Sequence, residues 1–123
     1  MAKFIPLYTT LGDHEAYYYE GHIFNLNSEW IGFVIPQTAN VHSVLGFYVG
    51  RITQRGRILR RRTMEKRVLK QAVPPAQPKP RLPATAALAP MFSELDFGTV
   101  DVLDEMRDRL HPLDTGEKKE DMD

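Results

Sequence analysis

Apolar residues in the first half of the chain fall in short runs dominated by β-branched and aromatic side chains. Each run is closed by Gly, Asn, Ser or Thr. Such runs suit pleated, half-buried strands, and tight turn residues between them predict β-hairpins. One phrase recurs: Trp30-Ile31-Gly32-Phe33-Val34 returns as Tyr48-Val49-Gly50-Arg51-Ile52. An earlier copy precedes both. Leu7-Tyr8, Gly12 and Ala16-Tyr17-Tyr18 align, at an offset of 16, with Ile23-Phe24, Ser28 and Gly32-Phe33-Val34. That copy aligns in turn, at an offset of 18, with Val41-His42, Gly46 and Gly50-Arg51-Ile52. The difference in offset falls in the connections, residues 19–22 and 35–40, where a loop tolerates insertion.

Side chains two apart on a strand share a face, so Ala16, Gly32 and Gly50 lie on the same face as Tyr18, Val34 and Ile52. A small residue at the same point of each hairpin lets neighbouring backbones approach closely. The competing reading, space cleared for a phosphate, requires a Gly-rich turn leading into a helix. These glycines sit inside strands, which favours packing.

Repeated hairpins with an early aromatic, a Gly turn and the "WIGFV/YVGRI" phrase resemble the four-fold β-flower family, in which hairpins radiate like petals around an axis. The opening "FIPLYTTLGDHEAYYYEG" is similar to that family's first petal, and the resemblance spans residues 4–62. It implies a mainly β fold and carries no established activity. The pattern departs in the fourth copy: after Thr53-Gln54-Arg55-Gly56, only Ile58-Leu59 match the start of a petal. If the fourth hairpin is missing, a homo-oligomer would complete the ring. A MORN repeat is longer and richer in Gly, and a PRC-type barrel does not predict three copies.

The second half has a different organisation. After a basic extension, residues 63–70, six prolines punctuate residues 71–92 and exclude a helix or central strand, predicting a disordered, solvated linker. "PPAQPKPRLP" also suits a polyproline II ligand for an aromatic groove. Residues 93–111 then regain an apolar stripe, with Thr99 placed to cap a helix and Pro112 to stop it. Val102, Leu103, Met106 and Leu110 form that stripe, with Phe92 and Phe97 as further anchors. Two readings stand: the helix packs back on the β domain, or it docks a separate protein. Residues 112–123 form a disordered acidic tail.

Net charge is zero but segregated. Residues 51–70 hold nine bases against one acid, and residues 93–123 hold eleven acids against four bases. The basic members Arg51, Arg55, Arg57, Arg60, Arg61, Arg62, Lys66 and Arg67 suit nucleic-acid phosphates, with the acidic tail as an autoinhibitory mask. They equally suit a solvated edge that discourages strand pairing.

Absence of Cys removes disulfides, thiolate metal sites and a Cys nucleophile. His14, His22 and His42 lie near Asp13, Glu15 and Glu20 without metal-ligand spacing. No nucleophile-elbow, zinc-protease or phosphate-loop motif occurs, so no catalytic residue, metal or cofactor is expected. The opening residues lack secretory-signal organisation and no run is long enough to span a membrane, which points to a cytoplasmic protein. The expectation is a non-enzymatic protein-interaction module that docks a partner through its C-terminal helix. The alternative is a nucleic-acid-associated protein. A third reading places a small apolar ligand among Tyr8, Phe24 and Trp30.

Overall fold

Four turns of one geometry organise the chain. Thr9, Asn25, Ser43 and Thr53 each open a turn by donating their N–H to the carbonyl four residues on, at 2.8–2.9 Å. Their own carbonyls accept from Gly12, Ser28, Gly46 and Gly56, at 2.9–3.2 Å. A small polar side chain is needed at the first position because its oxygen bonds back to the loop. Asn25 Oδ1 accepts from the N–H of Asn27 and of Glu29, both at 2.9 Å. Ser43 Oγ and Thr53 Oγ1 repeat the pair, and Thr9 Oγ1 accepts from Asp13. The fourth position is left-handed in every case, with φ of +100°, +66°, +91° and +75°, which explains its three glycines.

A computed structural model describes residues 3–61, 72–90, 98–105 and 109–112. The strands are β1 (Ile5–Tyr8), β2 (His14–Tyr19), β3 (His22–Asn25), β4 (Trp30–Ile35), β5 (Asn40–Ser43), β6 (Tyr48–Ile52), β7 (Ile58–Arg61) and β8 (Thr99–Asp101). They form one antiparallel sheet in chain order, curled into a half-barrel. Register shifts between Leu7 and Tyr8, Ile23 and Phe24, and Val41 and His42 place an irregularity at the same point of the first three hairpins. Such irregularities strengthen twist and bend a sheet.

Curling brings the two ends of the sheet together. The Tyr8 N–H donates to Gly56 O at 2.7 Å, Arg57 Nε donates to Thr9 O at 3.1 Å, and the Thr10 N–H donates to Asp101 Oδ2 at 2.6 Å. First hairpin, β6–β7 turn and β8 therefore meet along one seam.

One face carries the aliphatic core: Leu7, Ala16, Ile23, Val41, Val49 and Ile58, closed by Val102, Leu103 and Leu110 from the C-terminal segment. The repeated glycines are where these layers meet. A Cβ on Gly32 would lie 2.7 Å from His42 O and 3.0 Å from Leu110 Cδ2; one on Gly50 would lie 2.8 Å from Leu59 O and 3.1 Å from Val102 Cγ2. The small residues thus admit both a neighbouring strand and the C-terminal segment.

Two expectations for the second half change. Thr99 does not cap a helix: it belongs to β8 and pairs with Arg61. Helix α1 is a single turn, Val102–Glu105. Strand pairing with β7 satisfies the backbone that the expected helix would have used. Strand β7, which holds Ile58 and Leu59, pairs with β8, a strand some forty residues later in the chain rather than one across a tight turn. No described helix is long and apolar enough to cross a membrane.

Candidate functional site

The other principal face of the sheet is aromatic. Tyr17 pairs with Phe24, Phe24 with Trp30, Phe33 with His42, and His42 with Tyr48 across adjacent strands. Cross-strand neighbours of this kind lie close enough for ring contacts to stabilise the pairing. Phe4 stacks on Tyr19 with centroids 4.1 Å apart and 10° between planes, and meets Tyr17 edge-on at 5.9 Å. His14 meets Tyr17 edge-on at 4.6 Å and Tyr8 at 5.5 Å.

The proline-rich segment lies along this face. Residues 72–90 contain neither helix nor strand, as six prolines require, yet Pro74, Gln77, Pro80, Leu82, Ala86 and Ala89 are half-buried among exposed neighbours. Steps of three between many of these positions match the three residues per turn of polyproline II. Specific contacts fix the course. Tyr8 Oη donates to Ala87 O, Tyr17 Oη donates to Thr85 O at 3.4 Å, and a Cβ on Gly12 would sit 3.8 Å from Ala89 Cβ. Toward residues 77–81 an open cavity of about 580 Å³ separates the segment from Phe4, Tyr19, Glu20, His22 and Phe24. The expected solvated linker is therefore a segment seated on its own aromatic face. Aromatic planes and tyrosine hydroxyls supply what an extended, carbonyl-rich chain lacks internally.

Burial governs the titratable groups here. Desolvation, helped by the Tyr8 phenol, pushes Tyr17 above the ordinary tyrosine value and keeps its hydroxyl a donor. Desolvation likewise lowers His22, against an opposing effect of Glu20. Trp30 Nε1 donates to His22 Nδ1 at 3.1 Å, which requires that nitrogen to be unprotonated. His42 is lowered by burial, opposed by its hydrogen bond to Gly46 O at 3.3 Å.

The other candidate residues divide. Val102, Leu103 and Leu110 are buried in the chain's own core, so that apolar stripe packs back on the β domain. Met106, Phe92 and Phe97 lie outside the described residues, as do Arg62, Lys66 and Arg67. Of the basic run, Arg51, Arg55 and Arg61 are exposed. Arg57 is buried at the seam with its Cζ 5.6 Å from the Tyr8 ring centroid, and Arg60 is buried beside Tyr48. Burial lowers the Arg57 pKa, while Asp101 and Tyr8 act to raise it. Tyr8, Phe24 and Trp30 are buried side chains, and Phe24 borders the open cavity beside residues 77–81. Among the described residues, no group of three or more His, Asp or Glu is arranged to hold a metal ion.

The sequence marked residues 71–92 as a linker, with a polyproline II ligand as the alternative, and did not show the aromatic face against which residues 72–90 lie. The signal was present in Phe4, Tyr8 and the Tyr17-Tyr18-Tyr19 run, which alternate across β1 and β2 and place Tyr17 and Tyr19 on one face. Comparison with protein-family models, curated proteins and solved structures finds no match to the chain.

Proposed function

We propose that the protein is a non-enzymatic interaction module whose aromatic face binds extended, proline-rich segments of partner proteins. The supporting observation is the chain's own segment, residues 72–90, seated there through the Tyr8 and Tyr17 hydroxyls with about every third residue turned inward. Aromatic-lined grooves favour such ligands because polyproline II is preformed and loses little entropy on binding. The resident segment then acts as a tethered competitor, and a partner must exceed its effective concentration, typically millimolar for a short flexible tether. In this reading the three like hairpins are petals of a β-flower-like scaffold, and the C-terminal segment fastens the scaffold rather than meeting the partner.

The test replaces residues 74–89 with a Gly/Ser sequence of equal length, leaving β8 and α1 attached. A fluorescent peptide spanning residues 72–90 should bind this variant saturably and bind the parent chain far more weakly. Tyr17→Ala in the replaced background should weaken binding. A folded replaced variant that ignores the peptide would refute the proposal.

A further inference from the structure

Away from the peptide contacts, an open cavity of about 650 Å³ is lined by Arg51, Arg60 and Arg61 together with Tyr48, Thr53 and Gln54. None of its described lining residues is acidic. Arg60 is only 6% exposed, yet its guanidinium makes no hydrogen bond among the described residues. Its described contact is the Tyr48 ring, whose centroid lies 5.7 Å from Cζ. A guanidinium carries five N–H donors, and those of Arg60 keep contact with solvent through the cavity, since Asp101 Oδ1 is the one fully buried side-chain polar atom without a partner among the described residues. The cavity therefore presents three guanidinium groups, and its described lining offers them no carboxylate.

The two other arginines are arranged to help. Arg51 Nε donates to Thr38 O at 3.1 Å, which steadies the side chain and leaves its terminal nitrogens uncommitted among the described residues. Arg61, at the end of β7, is exposed. Arg51 and Arg60 both act on the Tyr48 phenol, pulling down a pKa that burial raises.

We propose that this cavity binds a small phosphate monoester, its phosphoryl oxygens held by Arg51, Arg60 and Arg61. Planar guanidinium forks match phosphate oxygens, and charge-assisted bonds of this type are short and strong. The volume falls within the range of small-molecule sites, about 300–1,000 Å³. Thr53 and Gln54 offer neutral polar groups to the rest of the molecule. Tyr48 is buried and meets Arg60, so it offers no open ring on which a nucleobase could stack, which favours a compact monoester over a nucleic-acid strand. The site shares Tyr48 with the aromatic face but none of the residues that contact the proline-rich segment.

The test titrates the full chain, at constant ionic strength, with inorganic phosphate, glycerol 3-phosphate and a twelve-residue oligothymidylate, followed by amide chemical shifts. Glycerol 3-phosphate should bind saturably and more tightly than inorganic phosphate. Arg60→Gln and Arg61→Gln should each weaken it about tenfold or more, as expected for loss of a charged hydrogen bond, with Lys3→Gln unchanged. Arg61 is exposed, so its variant remains informative even if Arg60→Gln unfolds. Absence of saturation, equal binding by parent and Arg61→Gln, or equal affinity for the two phosphates overturns the proposal. So does oligonucleotide binding in the absence of monoester binding, which would assign the arginines to a polyanion surface.

Discussion

Gly32→Ala isolates the role of the repeated glycines. The new methyl would sit 2.7 Å from the His42 carbonyl oxygen and 3.0 Å from Leu110 Cδ2, both inside normal contact. The Leu110 side chain can rotate, but the carbonyl is fixed by the pairing of β4 with β5. Overpacking of a tight core costs about 1–3 kcal/mol. Against this, Ala restricts the unfolded chain and returns about 0.4–1 kcal/mol. A net loss of about 1–2 kcal/mol follows, or a fall in Tm of roughly 4–15 °C for a domain of this size. Urea denaturation followed by tryptophan fluorescence measures it, since Trp30 begins the same strand. Because the backbone contact is the shorter, adding Leu110→Ala should not restore stability. A Gly32→Ala protein within about 0.5 kcal/mol of the parent, or full rescue by Leu110→Ala, would show that the strands do not approach as described.

Three further outcomes are expected. Asp101→Asn removes a charge that favours buried Arg57 at the seam, where Asp101 Oδ2 accepts from the Thr10 N–H and Oδ1 has no hydrogen-bond partner among the described residues; weakening a hydrogen bond to a charged acceptor costs about 1.5–3 kcal/mol, visible as a lowered urea midpoint. Leu103→Ala should cost about 2–5 kcal/mol in the same assay, and a neutral result would detach the C-terminal segment from the core. His22 and His42 both ionise below the ordinary 6.5, so the unfolded chain takes up their protons first as pH falls. Their contribution is complete above about pH 6.5 and declines below it through the folded-state values. Midpoints measured from about pH 7.5 to 5 should fall, and His22→Phe should flatten the slope; an unchanged slope would remove His22 from the account.

The first half was legible because its determinants are local. Thr9, Asn25, Ser43 and Thr53 bond to their own loops, and the left-handed position follows three residues later. Gly32 and Gly50 were readable as packing positions for the same reason of register. Non-local pairing was not readable. Thr99 followed by acids and an apolar stripe has the local signature of a capped helix, and only the presence of β7 converts it to a strand. Arg57 and Arg60 belong to a basic run in sequence, but the curl of the sheet buries Arg57 against Tyr8, and pairing of β6 with β7 buries Arg60 beside Tyr48. The removal of Arg57 from that run depends on closure against the first hairpin, which no local pattern encodes. The aromatic face was visible as strand residues; its occupant was visible as prolines; their meeting was not.

Closure also determines how the peptide face can work. β7 and β8 are paired, so the chain that carries residues 72–90 is held on the sheet at both of its ends. Val102, Leu103 and Leu110 hold the far end in the core. Releasing residues 72–90 from the aromatic face therefore exposes tyrosines without requiring β8 or α1 to leave. The ligand and the fastening of the fold are connected in sequence but separable in energy, since the former rests on two tyrosine hydroxyls and half-buried contacts and the latter on full burial. A scaffold that had to unfold in order to exchange its peptide would gain nothing from tethering one. One whose loop is pinned at both ends keeps its own ligand close, and can still yield the face to a stronger one.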